Sequence, residues 1–272
     1  MENIPIMEPF NLTFFVVTAF FVLILVGATL IMRHKSDRAK RIVIASAAVM
    51  TLIGFAAYKY FLSIDAAYDE MTIATSGGFN WWGELPLQLC NINMLLIPVA
   101  VMFDFQMLMS FCFFVGSICA TLAIVMPGVG FDHYSIFLPR MLGYFGTHYM
   151  IVIMALAIVT FGLYRPKFKN LPKTCIVITA VSLFTFIINL ILIYTGLHPK
   201  ANYFYSIDPV GNPLLELFHK LIPIPFLYLL PSFLILVPYM ALVTFGFWLV
   251  DSKKSAVSDA KSGDQLSEKG EE

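Results

Sequence analysis

Charge is what this chain has least of. Asp, Glu, Lys and Arg make up 12% of its 272 residues against 59% hydrophobic ones, too little polar material to cover a soluble globule of that size. Its 17 basic and 17 acidic residues cancel, so net charge carries no argument about an acidic partner, and no nucleic-acid partner is expected. Cysteine is scarce as well. Cys90, Cys112, Cys119 and Cys175 lie in or at the edge of apolar runs, which gives no support for disulfides in an oxidising compartment. Cys112 and Cys119, seven residues apart on one face of one helix, and Cys175 read as small apolar packing residues. His133, His198 and His219 are scattered through loops without ligand spacing, and no Gly-rich phosphate loop occurs; no metal and no cofactor is expected.

What the chain has instead is seven long apolar runs: Leu12–Met32, Ile42–Leu62, Leu85–Phe103, Met107–Val125, Met141–Tyr164, Thr174–Thr195 and Phe226–Val250. Each is about 20 residues, enough to cross a ~30 Å hydrocarbon core at ~1.5 Å rise per residue. The expected fold is an all-α membrane protein, a seven-transmembrane-helix bundle over residues 1–251, with a polar, disordered cytoplasmic tail over residues 252–272. Basic residues mark alternate connections. Arg33, Lys35, Arg38, Lys40 and Arg41 follow the first run, Arg165, Lys167, Lys169 and Lys173 the fifth, and Lys253, Lys254, Lys261 and Lys269 the last. The positive-inside bias then puts the N-terminus outside and the C-terminus in the cytoplasm of a multi-pass plasma-membrane protein. Glu2 and Glu8 rather than a basic segment precede the first run and Arg33-His34-Lys35 follows it, so it is read as a retained span and not a cleaved signal. Trp81 and Trp82 fall where an outer aromatic belt is expected.

Two outer loops are long. Residues 63–83 carry Asp65, Asp69, Glu70 and a Ser76-Gly77-Gly78 breaker. Residues 196–225 contain Asn212-Pro213, suited to cap and open a helix. There Leu214, Leu217, Phe218 and Leu221 fall on one face, with Glu216, His219 and Lys220 on the other. This predicts an interfacial amphipathic helix over the outer leaflet.

Polar residues inside apolar runs need a reason, because lipid offers them no partners. On helical geometry Cys90 lies ~9 Å inward from Glu84, His148 ~12 Å inward from Arg140 and Asn189 ~10 Å from Gly196. A thiol, an imidazole and an amide from three helices thus share one level. Arg140, Tyr144, Thr147 and His148 form one polar stripe, and Glu84, Gln88 and Asn91 a second, so both should line a cavity open to the outer side. Asn93 and Asn189 fit either interhelical hydrogen bonding or a site. Lys59 fits either snorkelling to headgroups or the cavity, and Arg140 either a lipid-phosphate anchor or the cavity.

Cysteine with histidine is a chemical pair: a neutral imidazole takes the thiol proton and returns it to a leaving group. Glu84-Leu85-Pro86-Leu87-Gln88-Leu89-Cys90-Asn91, with His148 and later Ala201-Asn202-Tyr203-Phe204-Tyr205, resembles the bacterial YwaF-type membrane proteins and the related eukaryotic transmembrane protein 164 family, across all seven runs. The resemblance implies an intramembrane acyltransferase in which Cys90 carries the acyl group and His148 is its base, with Glu84, Asn202 and Tyr203 as further motif residues. A remoter kinship is to intramembrane lipid hydrolases that use Thr and His.

Two functions follow. One is transfer or hydrolysis of phospholipid acyl chains through an acyl-Cys90 intermediate, with Asn91, Asn93 or Asn189 stabilising the oxyanion, Gln88 and Tyr144 lining the pocket, and Arg140 or Lys59 holding the phosphate. The other is a small-solute transporter or binding protein, supported by a 3+1+3 arrangement of helices 1–3 and 5–7 around helix 4. The absence of a Pro-Gln dipeptide and the crowding of polar residues in one leaflet favour the first.

Overall fold

Runs of apolar residues without charge can satisfy their backbone only as helices, and that is what the chain forms. The computed structural model describes residues 5–76, 78–127, 131 and 134–268; Glu2, Gly77, His133 and Lys269 lie outside them. Among the described residues six helices are long and apolar enough to cross a membrane: Leu12–Met32, Asp37–Ser63, Gln106–Val125, Pro139–Thr160, Phe168–Tyr194 and Leu227–Lys253. The elements are α1 (Leu12–Met32), α2 (Asp37–Ser63), α3 (Ala66–Ser76), α4 (Asn93–Met102), α5 (Gln106–Phe111), α6 (Ser117–Val125), α7 (Pro139–Thr160), α8 (Leu171–Tyr194), α9 (Pro213–Leu221) and α10 (Phe233–Glu268).

α7 is the centre of the bundle, packed by α1, α2 and α6. α1 is held by a Thr18–Tyr149 hydrogen bond of 2.6 Å and by Phe21 stacked on Tyr149 at 4.6 Å. α2 and α7 approach closely at Gly143, where a Cβ would stand 2.2 Å from the Tyr58 ring. Small residues at such crossings let backbones meet. Gly143→Ala is therefore expected to cost about 1–3 kcal/mol by overpacking, read as a lowered unfolding midpoint in detergent; an unchanged midpoint would show that the crossing relaxes freely.

The third apolar run is not the continuous helix expected of it. After a 3-10 turn at Trp81–Gly83 the chain passes through successive turns, and only Asn93–Met102 is helical. Pro86 has no N–H to give a helix. Leu87 N–H closes on the Leu85 carbonyl at 2.7 Å, and the Asn93 side chain donates to the carbonyls of Leu89 at 3.0 Å and Cys90 at 3.3 Å. The Glu84–Gln88–Asn91 stripe and the helical depth assigned to Cys90 therefore do not hold as stated. The segment still runs the length of the bundle. Glu84 pairs with Lys59 near one end of α2 and Asp104 with Arg41 near the other, positions about 27 Å apart along the α2 axis.

The fourth run is interrupted too. α5 and α6 are joined by a π turn over Cys112–Gly116, whose wider pitch rotates the residues after it. Cys112 is wholly buried, whereas Cys119 lines a cavity, so the two thiols do not share a face as a regular helix would have them do.

The loops gather at two ends. At the Glu84 end, Ile6 bridges Ser135, Asn80 donates to the Leu197 carbonyl, and Arg140 pairs with Asp65. At the Asp104 end, Arg41 meets Asp104 and Arg165 meets Asp251. α9 has the predicted bounds, with the Asn212 side chain accepting from Leu214 and Leu215 N–H. Its inward face differs in part from the one predicted: Leu214 and Leu215 line the cavity and Phe218 is buried, while Leu217 and Leu221 are exposed. α10 continues without a break past residue 252, where no proline stands and Ala, Lys, Glu and Gln favour helix.

Candidate active site

At the Glu84 end α2, α6, α7, α8 and the start of α10 enclose a cavity of about 770 Å³, within the range of small-molecule sites. Its walls are mainly apolar. Its polar groups are concentrated in Lys59, Gln88, Cys90, Asn91, Thr147 and His148, with Thr179, Ser182, Asn212 and Ser232 across from them.

Cys90 is carried by the turns before α4 and His148 by the third turn of α7, and Cys90 Sγ lies 3.3 Å from His148 Nε2. His148 Nδ1 is 2.7 Å from the Tyr144 carbonyl oxygen. That oxygen can only accept, so the proton sits on Nδ1 and leaves the Nε2 lone pair facing the thiol. This is the tautomer a base for Cys90 requires. The imidazole is also fixed by the Tyr144 ring, 4.4 Å away, which stacks on Phe131 at 4.3 Å and donates to the Ala123 carbonyl at 3.0 Å.

The other candidates divide. Gln88 and Asn91 line the cavity; Gln88 Oε1 accepts from Phe204 N–H at 3.2 Å, and Asn91 Oδ1 is buried with no partner. Lys59 also lines it, bonded to Glu84 at 2.5 Å and the Tyr58 hydroxyl at 3.1 Å. Asn93 and Asn189 do not line it. Asn93 Nδ2 is spent on the backbone before α4, while its Oδ1, packed against Gly116, is buried with no partner. Asn189 is spent on the Tyr203 turn: it donates to Tyr203 O and Ser206 Oγ and accepts from Tyr203 N–H, each at 2.9 Å. Arg140 is likewise outside the cavity, because Asp65 and the Tyr134 ring, 4.1 Å from its guanidinium, capture it.

The motif residues outside the cavity hold the Cys90 segment. Tyr203 Oη donates to the Trp82 carbonyl at 2.5 Å and accepts from Leu85 N–H at 3.0 Å. Burial pushes the Tyr203 phenol up from its ordinary value, keeping it a donor. Asn202 closes its own loop by accepting from Ile207 and Asp208 N–H. His198, buried against Gly83, has its pKa lowered by that burial while the Glu84 carboxylate pulls the other way.

Cys119 and Tyr58 are cavity residues that sequence reasoning passed over. Nothing short of locating the π turn would have turned Cys119 inward, whereas the aromatic beside an intramembrane lysine was a usable signal for Tyr58. No group of three or more metal-ligating side chains occurs among the described residues.

An all-helical multi-pass membrane protein with a thiol and an imidazole in contact inside an amphiphile-sized cavity is the class defined here. Within it, the chain belongs to the TMEM164 family, whose pattern it matches over residues 7–244. No curated protein and no solved structure matches it.

Proposed function

We propose that the protein is an intramembrane acyltransferase or lipid acyl hydrolase that takes an acyl chain from a membrane phospholipid onto Cys90. The observation that carries this reading is the 3.3 Å contact between Cys90 Sγ and a His148 Nε2 that the Tyr144 carbonyl keeps unprotonated. The Cys90 proton passes to Nε2 as Sγ bonds to the ester carbonyl. The carbonyl oxygen becomes an oxyanion, for which the Cys90 and Asn91 N–H groups and the Asn91 amide are the available donors. Collapse breaks the ester C–O bond, and the imidazolium returns its proton to the leaving oxygen. A lysophospholipid departs and an acyl-Cys thioester remains. A hydroxyl acceptor or water then gives its proton to Nε2, attacks the thioester and releases the thiolate, which regains the proton.

The topology belongs to the same proposal. The segment from Glu84 to Asp104 counts as a seventh crossing, and the basic connections put the Asp104 end in the cytoplasm, so the site opens to the outer leaflet. Lys59, a buried cation on the cavity wall, is the group for the lipid phosphate. That role requires it to exchange Glu84 for the phosphate, since the two are paired here. The carrier reading has no comparable support, because a nucleophile and its base are not what solute binding needs.

The test is covalent. Purified protein incubated with chain-labelled phosphatidylcholine is expected to acquire label on Cys90 that neutral hydroxylamine removes, since that nucleophile cleaves thioesters and spares amides. Absence of any adduct across phospholipids of different headgroup would refute the acyl-enzyme.

A further inference from the structure

α10 does not lie along α6 for its whole length. The two meet where Tyr239 packs on Phe114 of the π turn, ring centroids 6.2 Å apart. The two helices otherwise make almost no close backbone approach to one another, and both line the cavity. One edge of the opening is α6, with Leu122 52% and Met126 74% exposed; the other is the turn leading into α10, with Leu230 45% exposed. All three also line the cavity, so they stand at a rim rather than on a closed wall.

The rim's chemistry identifies what lies outside it. A mouth opening to water would present polar side chains. This one is apolar on both edges, on helices that span the bilayer, and so faces hydrocarbon. The lining combines the apolar Leu122, Leu230 and Phe233 with Cys90, Gln88 and Lys59, the two chemistries of an amphiphile.

We propose that the slot between α6 and α10 is a lateral portal through which one acyl chain of a membrane phospholipid enters from the outer leaflet, bringing its ester to Cys90 and its phosphate to Lys59. This rests on the proposed function for what happens at Cys90, but the route can be tested without turnover.

The measurement is covalent modification of Cys90 in phosphatidylcholine vesicles, followed by non-reducing mass spectrometry of the Cys90 peptide, with two reagents. One is a maleimide on an octadecyl chain, dissolved in the bilayer, that forms a thioether, and the other is a small charged methanethiosulfonate, supplied from water, that forms a mixed disulfide. Leu122→Trp with Leu230→Trp narrows the portal and is expected to slow the bilayer-borne reagent about tenfold, equivalent to about 1.4 kcal/mol on the entry barrier, leaving the water-borne one unchanged. Leu122→Ala with Leu230→Ala widens it and is expected to accelerate the bilayer-borne reagent alone, which guards against a tryptophan variant that merely misfolds. Equal effects on both reagents, or no effect of either pair, would overturn the portal. If the selective effect is seen but no acyl adduct forms from phospholipid, the portal stands and the acyl-transfer reading fails.

Discussion

His148→Ala is expected to slow acylation of Cys90 by about 10²–10⁴-fold, the usual worth of a positioned general base. The imidazole is fixed on one side by the Tyr144 carbonyl and meets the thiol on the other, so its removal leaves a neutral thiol in a mostly apolar cavity with no group to take its proton. Cys90→Ala should abolish the adduct. Cys90→Ser should abolish it or convert it to an ester that resists neutral hydroxylamine. Cys112→Ala should label as the wild type does, because Cys112 is buried outside the cavity. The quantity to measure is the initial rate of labelling from chain-labelled phosphatidylcholine. Wild-type rates in His148→Ala would remove the base from the mechanism, and label surviving Cys90→Ala would remove the nucleophile.

Asn189→Leu is expected to produce the largest loss of stability among the candidate site residues. The amide is fully buried and bonds Tyr203 N–H, Tyr203 O and Ser206 Oγ. An apolar replacement strands the Tyr203 N–H at about 1–3 kcal/mol and removes a donor from Ser206 Oγ, while the Tyr203 carbonyl keeps Ser206 as its donor. Activity should fall with stability, since the displaced Tyr203 would release Trp82 and Leu85, whose turn leads to Cys90. Asn202→Ala should cost far less, because the loop it closes is partly solvated. Thermal unfolding in detergent, compared with labelling at a temperature where both variants are folded, separates the two effects. An Asn189→Leu protein as stable as the wild type would show that the Tyr203 turn finds other partners.

Much of this was legible in the chain. Long uncharged runs have one way to bury their backbone in lipid, so the helical class followed from composition and six long apolar helices are present. The bounds and cap of α9 were readable because Asn212 and Pro213 act locally. The pairing of Cys90 with His148 was suggested by shared depth and by chemistry. The depth itself was computed for a helix that turns out to be a series of turns, and the contact arises because Tyr203, Asn93 and the Lys59–Glu84 pair hold those turns beside α7.

What escaped the sequence was each place where a side chain chose between partners that periodicity cannot rank. Arg140 and His148 fall on one polar stripe, yet Asp65, far off in the chain, draws the guanidinium away from the cavity. Asn91, Asn93 and Asn189 are the same residue in similar apolar surroundings. Asn91 and Asn93 both keep an unpartnered amide oxygen, but only that of Asn91 lies at the cavity, since the Asn93 amide group is drawn to the carbonyls before α4 and Asn189 is taken up by the Tyr203 turn. The sequence alone determined a membrane-embedded helical bundle and the residue types from which a site could be made. Tertiary structure decided the break before α4, the π turn that turns Cys119 inward and the slot beside α10. Each depends on long-range contacts competing with the local helical period, and a one-dimensional pattern records only the period.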